Sequence, residues 1–211
     1  MKVIAFNGSP RKEGNTYHAL KTIGDELEKS GIEFEVIHVG NKAVRGCLAC
    51  MGCVKNQDER CVISSDDVNS WIQKMKEADG ILLGSPVYYS GIAGTMKSFL
   101  DRAFFVSSVN KSMLRNKVGA AVVAVRRSGG VSTFDSLNHY IMYSEMVVPT
   151  ANYWNVTHGM MPGEAAQDGE GNQIMRVLGK NMAWLLKVLE AGKPLVDPIP
   201  PEQKELTNFI R

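Results

Sequence analysis

All four cysteines of this 211-residue chain lie within fifteen residues, in the order Cys47-x2-Cys50-x2-Cys53-x7-Cys61. Thiolates at two-residue intervals can surround one corner of an iron–sulfur cubane, and a fourth can return from a short loop. Compact ferredoxin-type runs begin in the same way. The chemistry that this count and spacing favour is that of an iron–sulfur cluster.

Other uses of the same thiols stay open at this point. Zinc could take the four sulfurs tetrahedrally, although the x2–x2 run is tighter than the paired CxxC of a zinc ribbon. A redox disulfide, for example between Cys53 and Cys61, and free packing cysteines are two further interpretations. The seven-residue gap before Cys61, with no proline after it, is long for a ferredoxin-type motif.

A second set of polar residues lies in the stretch "GSPRKEGNT", residues 8–16. Ser9, Asn15 and Thr16 supply short hydrogen-bonding side chains, and Arg11 supplies a fixed cation. The N–H groups of a helix that begins here would point at the same place, which predicts a phosphate cradle. The stretch is neither G-x-G-x-x-G nor a Walker A loop, which disfavours a Rossmann dinucleotide site and a nucleotide triphosphatase. A polar turn with a helix cap is the alternative.

Two adjacent tyrosines, Tyr88 and Tyr89, lie between Pro86 and Gly91 in the stretch "GSPVYYSGIAG". Glycines here would let the backbone approach a flat ligand, and backbone amides could bond the edge of a heterocycle. The tyrosines could instead be half-buried packing residues. Together with the phosphate cradle, this stretch predicts a ligand made of a flat ring that carries a monophosphate.

The elements that must position these residues alternate between strand and helix. Apolar runs predict strands at 2–6, 33–39, 80–84, 117–125 and 151–157, and helical periodicity predicts helices at 15–29, from 66 or 67 to about 78, 92–105, 131–146 and 172–191. This alternation predicts right-handed βαβ units and a three-layer α/β domain with a doubly wound, five-stranded parallel sheet. Ligands of such sheets bind beyond the carboxyl ends of the strands, so the loops after strands one, three and four should carry the function.

The composition excludes several classes of protein. The net charge of +2 is too small to argue for nucleic acid or an anionic membrane as a partner. No apolar run approaches the roughly 18 residues of a spanning helix, and the first residues lack a signal-peptide core. We therefore expect a cytoplasmic protein, which argues against structural disulfides. The four histidines are dispersed and lie in no motif, so no catalytic acid–base residue is predicted.

The stretches "GSPRKEGNT" and "SPVYYSGIAGTMKSFLDR", with the cysteine run between them, resemble the flavodoxin-like NADPH-dependent FMN reductase family, and more narrowly its iron–sulfur flavoprotein branch. The resemblance covers roughly residues 1–192, as an FMN-binding domain with a cysteine-rich loop at 45–62, and leaves a Pro-rich tail at 193–211. It implies FMN as the cofactor. By this likeness the phosphate would be bound by Ser9, Arg11, Asn15 and Thr16, and the ring would be lined by Pro86, Val87, Tyr88, Tyr89, Ser90 and Gly91, with Ser128, Gly129 and Gly130 from the loop after the fourth strand.

The resemblance also implies a [4Fe–4S] cluster on Cys47, Cys50, Cys53 and Cys61, near the FMN of a neighbouring subunit. The activity would be that of an FMN-dependent oxidoreductase. It would be either an NAD(P)H-dependent reductase of flavins or quinones, or an electron-transfer protein served by ferredoxin. A non-enzymatic flavodoxin-like carrier or redox sensor, and a structural zinc in the cysteine loop, are the alternatives.

A homodimer or homotetramer is expected, because an exposed flavin ring needs a cover from a second subunit. Arg126 and Arg127 could meet a nicotinamide phosphate, the cluster region or a partner, or form a solvated surface pair.

Overall fold

A parallel sheet of five strands forms the middle layer of the computed structural model, which describes residues 1–202 and 204–207. The strands, in chain order, are β1 (Lys2–Asn7), β2 (Glu33–His38), β3 (Gly80–Tyr88), the two-residue β4 (Gly91–Ile92), β5 (Val118–Val125) and β6 (Val156–His158). The order across the sheet is β2-β1-β3-β5-β6, and β4 pairs antiparallel with the end of β3. This confirms the predicted flavodoxin-like, doubly wound parallel sheet, to which β4 is an unpredicted addition.

Within the described residues, six α-helices cover the two faces of the sheet or lie in its connections. They are α1 (Asn15–Lys29), α2 (Gly52–Asn56), α3 (Val68–Glu77), α4 (Gly94–Val109), α5 (Gly130–Tyr143) and α6 (Gly169–Gly192). The apolar sides of α1 and α6 bury one face, while those of α3, α4 and α5 bury the other. Every residue of β5 is buried, as expected of a central parallel strand covered on both faces. The short α2 lies inside the cysteine loop and was not predicted.

The carboxyl ends of β1 and β3 are held close together. The N–H of Gly8 donates to the carbonyl of Gly84 at 2.8 Å. A Cβ on Gly8 would lie 2.7 Å from the Cβ of Met96 and 2.9 Å from that same carbonyl oxygen, so a larger residue does not fit. The loop after β1 is therefore packed directly on β3 and α4, at the edge where a ligand is expected.

The last strand differs from its prediction at 151–157. The sheet edge is built instead from an isolated bridge between Val118 and Val147 and from β6. Pro149 lies between these two contacts and has no N–H to give to a ladder, so pairing stops there. The chain returns to the sheet at Asn155, whose carbonyl accepts from the N–H of Val123 at 3.0 Å.

The described part of the Pro-rich tail lies on the protein's own surface. The guanidinium of Arg115 donates to the carbonyl of Ile199 at 2.6 Å, and the ammonium of Lys204 donates to the hydroxyl of Tyr143 at 2.8 Å. Residue 203 and residues 208–211 of the predicted tail lie outside the described residues. The division into a domain at 1–192 and a tail at 193–211 stays a prediction. Within residues 1–202 and 204–207, no helix has the length and apolarity needed to cross a membrane.

Candidate cofactor site

A cavity of about 320 Å³ opens at the carboxyl ends of β1, β3 and β5. It is lined by Ser9, Pro10, Arg11, Asn15, Thr16, Pro86, Val87, Tyr88, Ala124, Arg126, Gly159 and Met160. Seven of the thirteen residues predicted for the cofactor line this cavity: Ser9, Arg11, Asn15, Thr16, Pro86, Val87 and Tyr88. The fold therefore brings the predicted phosphate cradle and the first tyrosine to one place.

The phosphate cradle is a tight turn that is buried at Gly8 and Ser9 and again at 14–16, with residues 10–13 exposed between them. The N–H of Ser9 donates to Oδ1 of Asn7 at 3.0 Å, and the N–H of Arg11 donates to Oγ of Ser9 at 3.2 Å. The helix α1 then begins at Asn15, with Gly14 as its N-cap and with no side chain bonded to its first amides. No acidic residue lies in the first turn. Free amides and the helix dipole therefore favour an anion at this end of the cavity.

Two glycines outside the cradle allow other backbone segments to approach it. A Cβ on Gly40 would lie 2.1 Å from the carbonyl oxygen of Ser9, and a Cβ on Gly159 would lie 2.7 Å from Nδ2 of Asn15. These are closer than any real side-chain carbon approaches. The cradle is thus enclosed by the segments that follow β2 and β6, and only glycine fits at both places.

The segment after β6 forms one wall of the cavity through Gly159 and Met160, which sequence reasoning missed. The guanidinium of Arg11 donates to the carbonyl of Met160 at 3.2 Å. The carboxylate of Glu164 accepts from the N–H groups of Met160 and Met161, and these bonds lower the pKa of Glu164. The position of this segment could have identified it, because the stretch "GMMPG" follows the fifth predicted strand and so leaves the sheet at the same edge.

The loop after β3 packs against the loop after β5. Tyr89 and Ser90 have φ values of +49° and +58°, so both adopt the left-handed conformation. A Cβ on Gly129, itself at φ +87°, would lie 2.8 Å from Cα of Ser90. The hydroxyl of Ser132 donates to the carbonyl of Ser90 at 3.0 Å. This contact fixes the direction in which Tyr88 and Tyr89 leave the sheet.

Six of the predicted cofactor residues lie outside the cavity lining: Tyr89, Ser90, Gly91, Ser128, Gly129 and Gly130. Ser90 and Gly129 form the loop contact, and the side chain of Tyr89 is fully exposed. Gly130 lines a second cavity, of about 370 Å³, together with Arg127. Arg126, for which the sequence left several roles open, lines the same cavity as Ser9 and Tyr88.

The cysteine loop is anchored through two asparagines. Asn69 of α3 accepts from the N–H of Cys61 and donates to its carbonyl, both at 2.8 Å. Asn110, at the end of α4, accepts from the N–H of Glu59 at 3.0 Å and donates to the carbonyl of Cys53 at 3.4 Å. Side-chain amides therefore position the second half of the loop on the domain.

The four thiols have different surroundings. Cys47 and Cys50 are exposed, Cys61 is partly buried and Cys53 is buried. Burial raises the pKa of the Cys53 thiol. A donor set made only of sulfur suits an iron–sulfur cluster or zinc rather than a hard cation. In the part of the chain that the structure describes, no three His, Cys, Asp or Glu side chains are gathered around a common point, so the cluster stays a prediction.

A buried arginine lies beside the loop. The Nε–H of Arg102, on α4, donates to Sγ of Cys61 at 3.4 Å, and both terminal nitrogens bond the carboxylate of Asp66 at 2.5 and 3.1 Å. Burial would lower the pKa of Arg102, but the bonds to Asp66 and Cys61 outweigh it and raise the pKa above its ordinary value. The guanidinium is a permanent charge of this region.

The comparison with known families confirms the predicted resemblance. The family model described as "NADPH-dependent FMN reductase" matches residues 1–160. An iron–sulfur flavoprotein from Methanocaldococcus jannaschii is 37% identical over 197 residues, which cover 90% of this chain and 100% of the relative. The chain belongs to the NADPH-dependent FMN reductase family, in its iron–sulfur flavoprotein branch. Membership makes it an FMN-dependent oxidoreductase.

Solved structures agree on the fold. RosB, crystallised with bound 8-demethyl-8-formylriboflavin-5'-phosphate, has a TM-score of 0.69 and 16% identity, over 100% of this chain and 94% of that one. A flavodoxin from the domain Archaea has a TM-score of 0.58 and 19% identity, over 89% of this chain and 99% of that one. These likenesses show a flavodoxin-like fold.

Proposed function

We propose that this protein transfers electrons between FMN, held in the cavity at the carboxyl edge of the sheet, and a [4Fe–4S] cluster on Cys47, Cys50, Cys53 and Cys61. The observation that carries the proposal is the cavity itself. The turn after β1, the start of α1 and Tyr88 all line this one cavity. That combination suits a flat ring bearing a phosphate.

The residues of the cavity have separate tasks in this proposal. The amides at the start of α1, the hydroxyls of Ser9 and Thr16 and the cation of Arg11 would bind the phosphate. Pro86, Val87 and Tyr88 would lie against the ring, with backbone amides at its polar edge. Bound FMN supplies hydride and one-electron chemistry by itself, so the protein contributes orientation and access.

The cysteine loop would hold the cluster with thiolates from both of its halves. Asn69 and Asn110 fix the second half, where Cys53 and Cys61 lie against the core. Cys47 and Cys50 are exposed and would complete the ligand set from the solvent side. Iron–sulfur clusters use four thiolates in this way.

The electron donor is proposed to be NAD(P)H, with a flavin or quinone as acceptor. Arg126 lines the cavity wall and would supply a cation for a nucleotide phosphate. In the other form of the same proposal, reduced ferredoxin is the electron donor. Mixing the anaerobic protein with NADPH or NADH distinguishes the two: rapid bleaching of the flavin band supports the reductase, and bleaching only by reduced ferredoxin supports the carrier.

Spectroscopy of anaerobically purified protein tests the cofactors. We expect about one FMN and about four iron and four sulfide per chain, from the stoichiometry of such a cluster. Zinc at about one per chain without iron, as in a structural tetrahedral site, would overturn the cluster and leave the FMN proposal standing. Absence of flavin from protein refolded with excess FMN would overturn the proposal as a whole.

A second subunit is proposed to cover the flavin. Tyr89 is fully exposed beside the cavity, and Tyr153 and Trp154 are exposed near the same sheet edge. Large exposed aromatic side chains at a ligand opening are typical of an interface. Analytical ultracentrifugation of the FMN-loaded protein should give a homodimer or homotetramer, and a monomer at micromolar concentration would contradict this.

A further inference from the structure

The guanidinium of Arg102 is a buried cation that does not line the proposed FMN site. Its side chain is completely buried on α4, and the side chain of its partner Asp66 is nearly so. Burying an ion pair costs desolvation free energy, and a well-packed apolar pair of similar size is often as stable. Stability alone therefore does not explain why this position carries an arginine.

The acceptors of Arg102 lie at both ends of the cysteine loop. Besides Asp66 and Sγ of Cys61, its terminal nitrogens donate to the carbonyl of Arg45 at 3.2 Å and to the carbonyl of Ile63 at 3.0 Å. Arg45 precedes the first cysteine and Ile63 follows the last. One planar side chain thus ties together the two points between which all four thiols lie.

The bond to Cys61 differs from the others because its acceptor is a thiol sulfur. A planar guanidinium offers five N–H groups in a fixed fork, so the bonds to Asp66 orient Nε toward the sulfur. Lysine at this position would have no such fixed geometry. The sulfur of Cys61 therefore receives an N–H bond from a permanent cation, at a distance of 3.4 Å.

We propose that Arg102 is the positioning residue of the cysteine loop, and that its N–H bond to Cys61 raises the reduction potential of the centre these thiols carry. The second half rests on the proposed [4Fe–4S] cluster. Hydrogen bonds to ligand sulfurs and nearby positive charge stabilise the reduced, more negative state of such a cluster. The donor here belongs to the domain core, so the potential is coupled to the packing of α4 on the loop.

The test compares four proteins purified anaerobically with FMN: wild type, Arg102→Lys, the double variant Arg102→Met with Asp66→Asn, and the control Arg115→Met. The double variant removes both buried charges, which avoids leaving one unpaired. Arg115 also pairs with a carboxylate, that of Glu145, and its other side-chain bond goes to the carbonyl of Ile199 rather than to the cysteine loop. Iron and sulfide are assayed, and the cluster potential is measured by an EPR-monitored titration.

We expect wild type and the control to agree. The double variant should either show a more negative cluster potential at full iron content, or lose iron while it retains FMN. Arg102→Lys should shift the cluster potential by a smaller amount. If the double variant does not fold, Arg102→Lys is compared with wild type in its place. Full iron at the wild-type potential, in either Arg102 variant, overturns the proposal, since a merely structural arginine would leave the potential unchanged.

A separate measurement distinguishes failure of the cluster from failure of the role of Arg102. If wild-type protein contains no iron, alkylation of each cysteine is followed by peptide mass spectrometry. The ratio of the Cys61 rate to the Cys47 rate should be the same in wild type and in the control and should change in the double variant, because Arg102 sets both the access to Cys61 and its thiolate fraction. An unchanged ratio in the double variant overturns the positioning role.

Discussion

The phosphate cradle follows β1 and the cysteine loop follows β2, and the two are held in different ways. The cradle bonds internally through the side chains of Asn7 and Ser9 and is enclosed by backbone, because Gly8, Gly40 and Gly159 let neighbouring segments touch it at distances that exclude any side chain. The cysteine loop is held by side chains, namely Asn69, Asn110 and Arg102. The comparison indicates that the packing of backbone segments preforms the proposed flavin site, whereas the position of the thiols depends on a few polar side chains.

The largest effect is expected from Cys61→Ala. Iron should fall from about four per chain to near zero, because a [4Fe–4S] cluster requires all its thiolate ligands. FMN content and affinity should stay at the wild-type level if the two regions are independent. Iron assay and flavin fluorescence on the same anaerobic sample measure both. Loss of FMN together with iron would show that the loop supports the flavin site.

Gly40→Ala should damage the cradle. The added carbon would lie 2.1 Å from the carbonyl oxygen of Ser9, which belongs to backbone and has little room to move. Overpacking of this kind costs about 1–3 kcal/mol, and the upper figure corresponds to about a hundredfold weaker FMN binding. Fluorescence titration with FMN measures the dissociation constant.

The matched control is Gly169→Ala, since an added carbon there meets no atom within 4 Å. The control should bind FMN as wild type does. Equal FMN affinities for the Gly40 variant and the control would mean that the backbone around the cradle can shift to accept a methyl group. The cradle would then not be the more rigid of the two regions.

Arg11→Met should weaken FMN and leave riboflavin unchanged, because the cation is proposed to meet the phosphate. A hydrogen bond to a charged group contributes about 1.5–3 kcal/mol, so a roughly tenfold to hundredfold loss is expected. Lys12→Met is the control, because that side chain is exposed and does not line the cavity. A parallel loss of riboflavin affinity would place Arg11 at the ring instead.

The smallest effect concerns Asp168, which supports the segment over the cradle. Burial would raise its pKa, but bonds from the N–H groups of Gly171 and His158 outweigh burial and lower the pKa. A carboxylate with a lowered pKa stabilises the fold above its unfolded pKa, and this stability is lost as the pH falls through the folded value.

Asp168→Ala should therefore cost about 1 kcal/mol at neutral pH, as for other helix caps, and progressively less in acid. Urea unfolding of both proteins at neutral and acidic pH measures this difference. A constant difference across the pH range would contradict the charge-based role. Iron content should not change, since Asp168 has no contact with the cysteine loop.

Much of the fold was predictable because its signals are local. The apolar runs of β1 and β5 and the helical spacing of α1 are visible in windows of a few residues, and α1 begins and ends where it was predicted. The resemblance in the loops after β1 and β3 predicted the cavity wall that runs from Ser9 to Tyr88. The segment 151–155 was wrongly predicted as strand, because pairing there depends on a proline and on the neighbouring edge.

The sequence by itself determined the alternation of strands and helices, and therefore which loops meet at the carboxyl edge of the sheet. It also determined that four thiols lie on one of these loops. Only the tertiary structure decided that Gly40 meets Ser9, that Gly159 meets Asn15 and that Arg102 reaches Cys61. The residues of each pair are distant along the chain, so no sequence periodicity predicts their contact. Close approach and burial arise only when the separate elements pack together.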